Sequence, residues 1–218
     1  MPIRRRTYRR RAAPARGRKL NPRQKKQVKR IVGAQQELKY LDTVTSAYSI
    51  STSGAIFQLC SIPQGDTDIS RDGDRVYLKK MYVRGTVRVN DETNIVRLIF
   101  FQWKPNTAAT IAQILLNGPS GSPDVQSNYA HDQRQMYKIL YDKTWVLAGP
   151  GTTPETPVTP TTTRHFQCIL SRGLIHQLQF TAGTTTGTNQ IYYLALSDSS
   201  IGAHPTLSMS TKVMFTDS

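Results

Sequence analysis

The chain of 218 residues predicts an all-β antiparallel sandwich preceded by a basic arm, on three observations. From about residue 43, runs rich in Val, Ile, Thr and aromatics alternate with clusters of Gly, Pro, Asn, Asp and Ser. No long helical pattern separates those runs, which favours antiparallel pairing over a parallel sheet with crossover helices. The charge is also split. Residues 1–30 hold fourteen of the 29 Lys and Arg residues and none of the 14 acids, leaving fifteen bases against fourteen acids in the rest. The net +15 therefore divides into +14 on the arm and +1 on the body.

The elements follow in order. Residues 1–20 carry Pro, Gly and Arg with little to bury, so they predict a segment disordered until a polyanion neutralises it. A short basic helix comes next. Asn21 fits an N-cap, Pro22 the first helical position and Gln24 the capping-box partner, while Val28, Ile31, Val32 and Leu38 fall near helical spacing. The arm is drawn as 1–40 and the body as 41–218. Eight strand runs are read at about 44–61, 75–90, 94–104, 136–148, 164–171, 174–182, 189–198 and 206–216. Alternation is clearest in the second, with Met81, Val83, Val87 and Val89 on one face and Lys80, Tyr82, Arg84, Thr86 and Arg88 on the other. One helical stretch is expected inside the body, around Thr110–Leu116. Two long loops, 105–135 and the Pro/Thr-rich 149–163, are expected at the surface.

No apolar run approaches the ~20 residues that cross a bilayer, so membrane insertion is not expected. The basic N-terminus has no apolar segment behind it and does not read as a secretory signal; an organelle transit peptide is the minor alternative. Cys60 and Cys168 read as buried free thiols, with one long-range disulfide as the alternative. His131, His165, His176 and His204 are scattered and no nucleophile elbow or phosphate-binding glycine loop occurs, so no enzyme and no cofactor are predicted.

The chemistry lies in the arm. Arg4, Arg5, Arg6, Arg9, Arg10, Arg11, Arg16, Arg18, Lys19, Arg23, Lys25, Lys26, Lys29 and Arg30 can each neutralise a phosphate and release a counterion. Tyr8 offers a stacking platform among them. Arg4–Arg6 and Arg9–Arg11 also read as a nuclear import signal for host import machinery. In the body, Arg97 and Trp103 share a strand face with Phe101 and could stack on exposed bases; the alternative is that the aromatics are core and Arg97 pairs with an acid.

An acidic run, DTDISRDGD at 66–74, imitates a calcium loop with Asp68, Ser70 and Asp72 as ligands and Gly73 in the turn. The twelfth position is Lys79 rather than a bidentate Glu, and strands flank the run, so a calcium sensor is not predicted. The acids are expected to be solvated or to pair with Arg71, Arg75 or a neighbouring subunit. Asp66, Asp68 and Asp72 stay candidates for a cation held between subunits.

The stretch IPQGDTDISRDGDRVYLKKMYVRG resembles capsid proteins of circular Rep-encoding single-stranded DNA (CRESS-DNA, circovirus-like) viruses, at Ile62, Gln64, Gly65, Arg71, Gly73, Lys79, Lys80, Arg84 and Gly85. The stretch around Tyr137, Leu140, Asp142 and Thr144 resembles another strand of those capsids. The resemblance implies an eight-stranded jelly roll whose strands B to I match the eight runs in order. It implies a homo-oligomer of about sixty copies closing an icosahedral shell, with the arm on packaged single-stranded DNA. It further implies a virion protein that visits the host nucleus during assembly, and a Pro/Thr-rich loop placed outside for an unknown host receptor. Capsids of small satellite RNA viruses share this plan. From other classes, a β-barrel chromatin or RNA-packaging protein and a carbohydrate-binding jelly roll remain as alternatives.

Overall fold

The computed structural model describes residues 21–35, 37–90, 93–119, 121–148, 163–171, 173–200, 202 and 204–217. The chain divides into two units between Gln36 and Glu37. In the first, helix α1 (Pro22–Gln35) starts as its sequence dictates. The Gln24 amide N–H donates to Asn21 Oδ1 at 2.7 Å, and the Asn21 N–H donates back to Gln24 Oε1 at 3.0 Å. This reciprocal box satisfies two N–H groups that a helix start otherwise leaves open.

In the second unit, period-two alternation becomes two antiparallel sheets. One runs β1 (Lys39–Ser49), β10 (Thr206–Asp217), β3 (Arg75–Arg88), β7 (Gln177–Phe180) and β8 (Gly187–Thr188), with β6 (Thr163–Leu170) also paired to β3. The other runs β2 (Ala55–Gln58), β9 (Gln190–Ser197), β4 (Thr93–Trp103) and β5 (Tyr137–Ala148). β1 begins at Lys39, two residues inside the arm as the sequence delimits it. The short helix α2 (Ile111–Ile114) falls in the stretch expected to be helical, and a 3-10 turn at His131–Gln133 joins it.

This is an all-β jelly roll of two sheets with four main lanes each, the two-residue β8 adding a short edge beside β7, but its lanes differ from the eight runs in order. The run 44–61 is two strands, not one. Its break lies at 50–54, where Gly54 takes φ +62°, a conformation side chains resist, and where a Cβ would come within 2.3 Å of Leu196 Cδ2. Conversely, the runs 164–171 and 174–182 share one lane. β3 is long enough to pair β6 through residues 81–88 and β7 through 75–77. The lanes B to I are thus β1, β2, β3, β4, β5, β6 with β7, β9 and β10. The acidic run lies between lanes C and D rather than B and C. The Pro/Thr-rich loop, between F and G rather than E and F, lies outside the described residues except at its end.

The two sheets enclose a main core that includes Val83, Val87, Leu98, Phe100, Phe166, Tyr193 and Phe215. A second apolar cluster lies on the far side of the β2-β9-β4-β5 sheet, built from Ile99, Phe101, Trp103, Ile114, Leu115, Tyr137 and Leu194 with their neighbours. Residues 104–119 and 121–136 cover that side. β9 is consequently buried at every position, although it belongs to an antiparallel sheet. Fully burying a side chain of this size contributes about 1.5–3 kcal/mol, so the second cluster is a substantial part of the fold.

Candidate nucleic-acid interface

Of the predicted arm contacts, Arg4, Arg5, Arg6, Tyr8, Arg9, Arg10, Arg11, Arg16, Arg18 and Lys19 lie outside the described residues, and with them the import motif. Arg23, Lys25 and Lys26 are exposed on α1, and Lys29 and Arg30 belong to the same helix. Val28 and Ile31 are exposed there too, at 45 % and 58 %.

Arg97 and Trp103 do not form a base-stacking site, and the structure corrects that expectation. Trp103 is completely buried in the second cluster, with its indole N–H donating to the Thr107 carbonyl at 2.7 Å. Arg97 is 8 % exposed and fully engaged. Its Nε and Nη2 donate to the two carboxylate oxygens of Asp142 at 3.1 and 2.7 Å, and Nη1 donates to the Ser127 carbonyl at 2.6 Å. The Tyr129 hydroxyl donates to the same carboxylate, and the Tyr129 ring lies 5.3 Å from the guanidinium. Burial pushes the Asp142 carboxyl up, but the Arg97 and Tyr129 hydrogen bonds outweigh it and hold the group below its ordinary value. The face that strand alternation exposes here is closed by 104–136, and Arg97 ties that segment down.

The acidic run resolves into two internal ion pairs. Arg71 is fully buried, donating to the Gly73 carbonyl, to Asp74 Oδ1 at 3.0 Å and to the Thr184 carbonyl at 2.8 Å, with its guanidinium 4.5 Å from the Phe180 ring centre. Asp72 lies 2.7 Å from Lys39 Nζ, whose other partner is Asp217 at 2.9 Å. Hydrogen bonds to Asp72 and then Asp217 raise the Lys39 pKa despite burial. Asp72 is therefore committed to a lysine and is not a free ligand. Among the described residues no His, Cys, Asp or Glu cluster of metal-binding size occurs.

What the sequence reading did not assemble is the outward face of the other sheet. Lys80, Arg84 and Arg88 on β3 are exposed, as alternation requires. β10 adds Lys212 beside Tyr82 in register, and β6 adds His165 opposite Thr86. Among the described residues on the outward faces of β1, β10, β3 and β6, Asp42 is the one carboxylate, 3.5 Å from Lys212. No described carboxylate pairs with Lys80, Arg84 or Arg88. The signal was half legible: β3 alone shows three bases on one face, but Lys212 lies more than a hundred residues away.

The family described as satellite tobacco necrosis virus coat protein matches residues 9–218. No curated protein matches the chain. Among solved structures, a chain from Desmodium yellow mottle tymovirus is 11 % identical, with a TM-score of 0.37, over 100 % of this chain and 96 % of its own. The family found is thus a satellite virus coat protein and not a CRESS-DNA capsid, which corrects the resemblance drawn from the motifs. Those motif residues perform structural tasks that do not distinguish genome types. Arg71 braces the loop between lanes C and D, and Asp142 holds Arg97. At Gly85 a Cβ would sit 2.6 Å from the Phe166 ring. With the match running from Arg9 through α1 and every strand, the chain belongs to the satellite tobacco necrosis virus coat protein family.

Proposed function

We infer that this coat protein closes a small icosahedral shell of about sixty copies and packages single-stranded RNA through residues 1–30. The observation that carries the reading is the segregation of charge: fourteen cations without an acid in the first thirty residues, joined to a jelly roll of net +1. Sixty such arms bring on the order of 800 positive charges, able to offset a comparable number of phosphates. A chain of one sign repels itself, so the arms favour closure around a polyanion over closure of an empty shell. RNA replaces the DNA first expected because the family is that of a satellite virus of the RNA type, and nuclear import is then not needed for packaging.

Purified full-length protein tests this directly. Electron micrographs should show uniform particles roughly 20 nm across, the size a shell of ~25 kDa domains implies. The nucleic acid extracted from them should be destroyed by ribonuclease and survive deoxyribonuclease. Small monodisperse oligomers defeat the shell, and deoxyribonuclease-sensitive cargo restores the DNA reading. Replacing the bases of residues 1–30 by Gln in the full-length chain should remove most of the cargo; unchanged cargo refutes the arm's role.

A further inference from the structure

We propose that the outward face of the β1-β10-β3-β6 sheet is a second single-stranded nucleic-acid contact, carried by the folded body and separate from the arm. The inference rests on the packaging role above and adds a site to it. Lys80, Arg84 and Arg88 stand four residues apart on one face of β3, which spaces them by about 13 Å along the strand. Lys212, one strand over and in register with Tyr82, fills the gap between Lys80 and Arg84. The four cations form one strip across the sheet centre, opposed among the described residues by Asp42 alone.

The relief of the surface suits a flexible chain. Arg84 stands between two open depressions. One, of about 370 Å³, is bordered by Tyr82, Ser210 and Lys212. The other, of about 570 Å³, is bordered by Thr86, His165 and Gln167. Hydroxyl, amide and guanidinium groups can meet phosphate and ribose oxygens there, and Tyr82 offers a ring to a base. Lys80, Arg84 and Arg88 are exposed and pair with no described carboxylate, and the Lys212–Asp42 pair is itself exposed, so no desolvated ion pair has to be broken when phosphate arrives.

Charge complementarity selects the occupant. The basic arm of this or another copy is repelled by the strip. The acidic run of a second copy is a poor fit, because Asp72 and Asp74 are already held by Lys39 and Arg71, leaving Asp66 and Asp68. A polyanion meets four cations at once. Each phosphate neutralised by single-strand binding contributes about 0.7 to the slope of log affinity against log salt.

The test is a salt titration of fluorescent poly(U) binding by the full-length chain at nanomolar concentration. The variant carries Arg84→Gln, Arg88→Gln and Lys212→Gln. A control of equal charge carries Arg134→Gln, Lys138→Gln and Lys143→Gln, three exposed bases on other surfaces. The expected result is a slope shallower by about 2 for the face variant, and an affinity lower by on the order of 100-fold at 0.1 M salt. The control should lie near the parent, and Arg84→Lys with Arg88→Lys should restore the slope. An unchanged slope, or an equal loss in face variant and control, overturns the proposal. So does a face variant that binds poly(U) normally but no longer forms particles, since the face is then a subunit contact. Should the triple variant fold poorly, Arg84→Gln and Arg88→Gln alone should each remove about 0.7 from the slope, and no change in either refutes the site. If the parent chain shows no salt-dependent binding at all, the packaging reading itself fails.

Discussion

The two sheets share one core and differ in what lies on their outer sides. The β2-β9-β4-β5 sheet is covered by residues 104–136, which bury a second apolar cluster and an Arg97–Asp142–Tyr129 network. Among the described residues of the second unit, the β1-β10-β3-β6 sheet keeps its outward bases exposed. A basic residue on a strand therefore means opposite things in the two places. Arg97 holds structure; Arg84 is free to meet a partner. Strand alternation assigns a residue to a face, but only the covering segment says whether that face reaches solvent.

The sharpest way to break this contrast is to cut into the covered side. Trp103→Ala should cost about 3–5 kcal/mol, as large-to-small changes at buried aromatics do, read by urea unfolding. Under folding conditions its poly(U) affinity should match the parent; a selective loss of affinity at unchanged stability would reinstate Trp103 as a base contact. Arg97→Met should cost about 2–3 kcal/mol, somewhat below the range for a broken buried pair because Asp142 keeps 28 % side-chain exposure. The loss should show first as faster hydrogen exchange across 117–128, where Arg97 reaches the Ser127 carbonyl.

Acid probes the same tie. The folded-state pKa of Asp142 is depressed, so its contribution is complete above the ordinary carboxylate value near 3.8 and is lost as pH falls through the lower folded value. The protection factors across 117–128, corrected for intrinsic exchange, should therefore fall below about pH 4 in the parent, and that response should be lost in Asp142→Asn. On the uncovered side, Asp42→Asn should change stability by less than about 0.5 kcal/mol, since the Lys212 pair is exposed. It should nonetheless tighten poly(U) binding by removing the one described carboxylate on that face. The smallest effect concerns the thiols. Burial pushes Cys60 up to about 12 and Cys168 up to about 11, so neither should react appreciably with iodoacetamide at pH 8 in the folded chain.

Much of this was legible in the sequence. Asn21, Pro22 and Gln24 define the helix start locally, and the capping box forms as written. Strand positions followed from alternation because a half-buried sheet has a period of two. Reading Cys60 and Cys168 as free thiols also holds, with Cys60 fully buried and Cys168 partly so. The lane count failed where a turn and a kink carried weak signals. Gly54 is one glycine in a run of Ser and Thr, yet its positive φ divides two strands belonging to different sheets. Between β6 and β7 the strand signal pauses without leaving the lane, because both halves hydrogen-bond to the same long β3. Arg71 could be named as a partner for an acid, but not as a side chain with no exposure, since Thr184 and Phe180 reach it from more than a hundred residues away.

The sequence alone determined the all-β class, the basic helix and the separation of charge between arm and body. These depend on residues adjacent in the chain, where propensity, period and electrostatics act locally. The tertiary structure decided which faces are inside. It buried Arg97 and Trp103 beneath 104–136, spent Asp72 and Asp74 on Lys39 and Arg71, and drew Lys212 beside Arg84. Burial and charge pairing are set by neighbours across sheets, and no local pattern encodes which distant segment comes to lie on a strand.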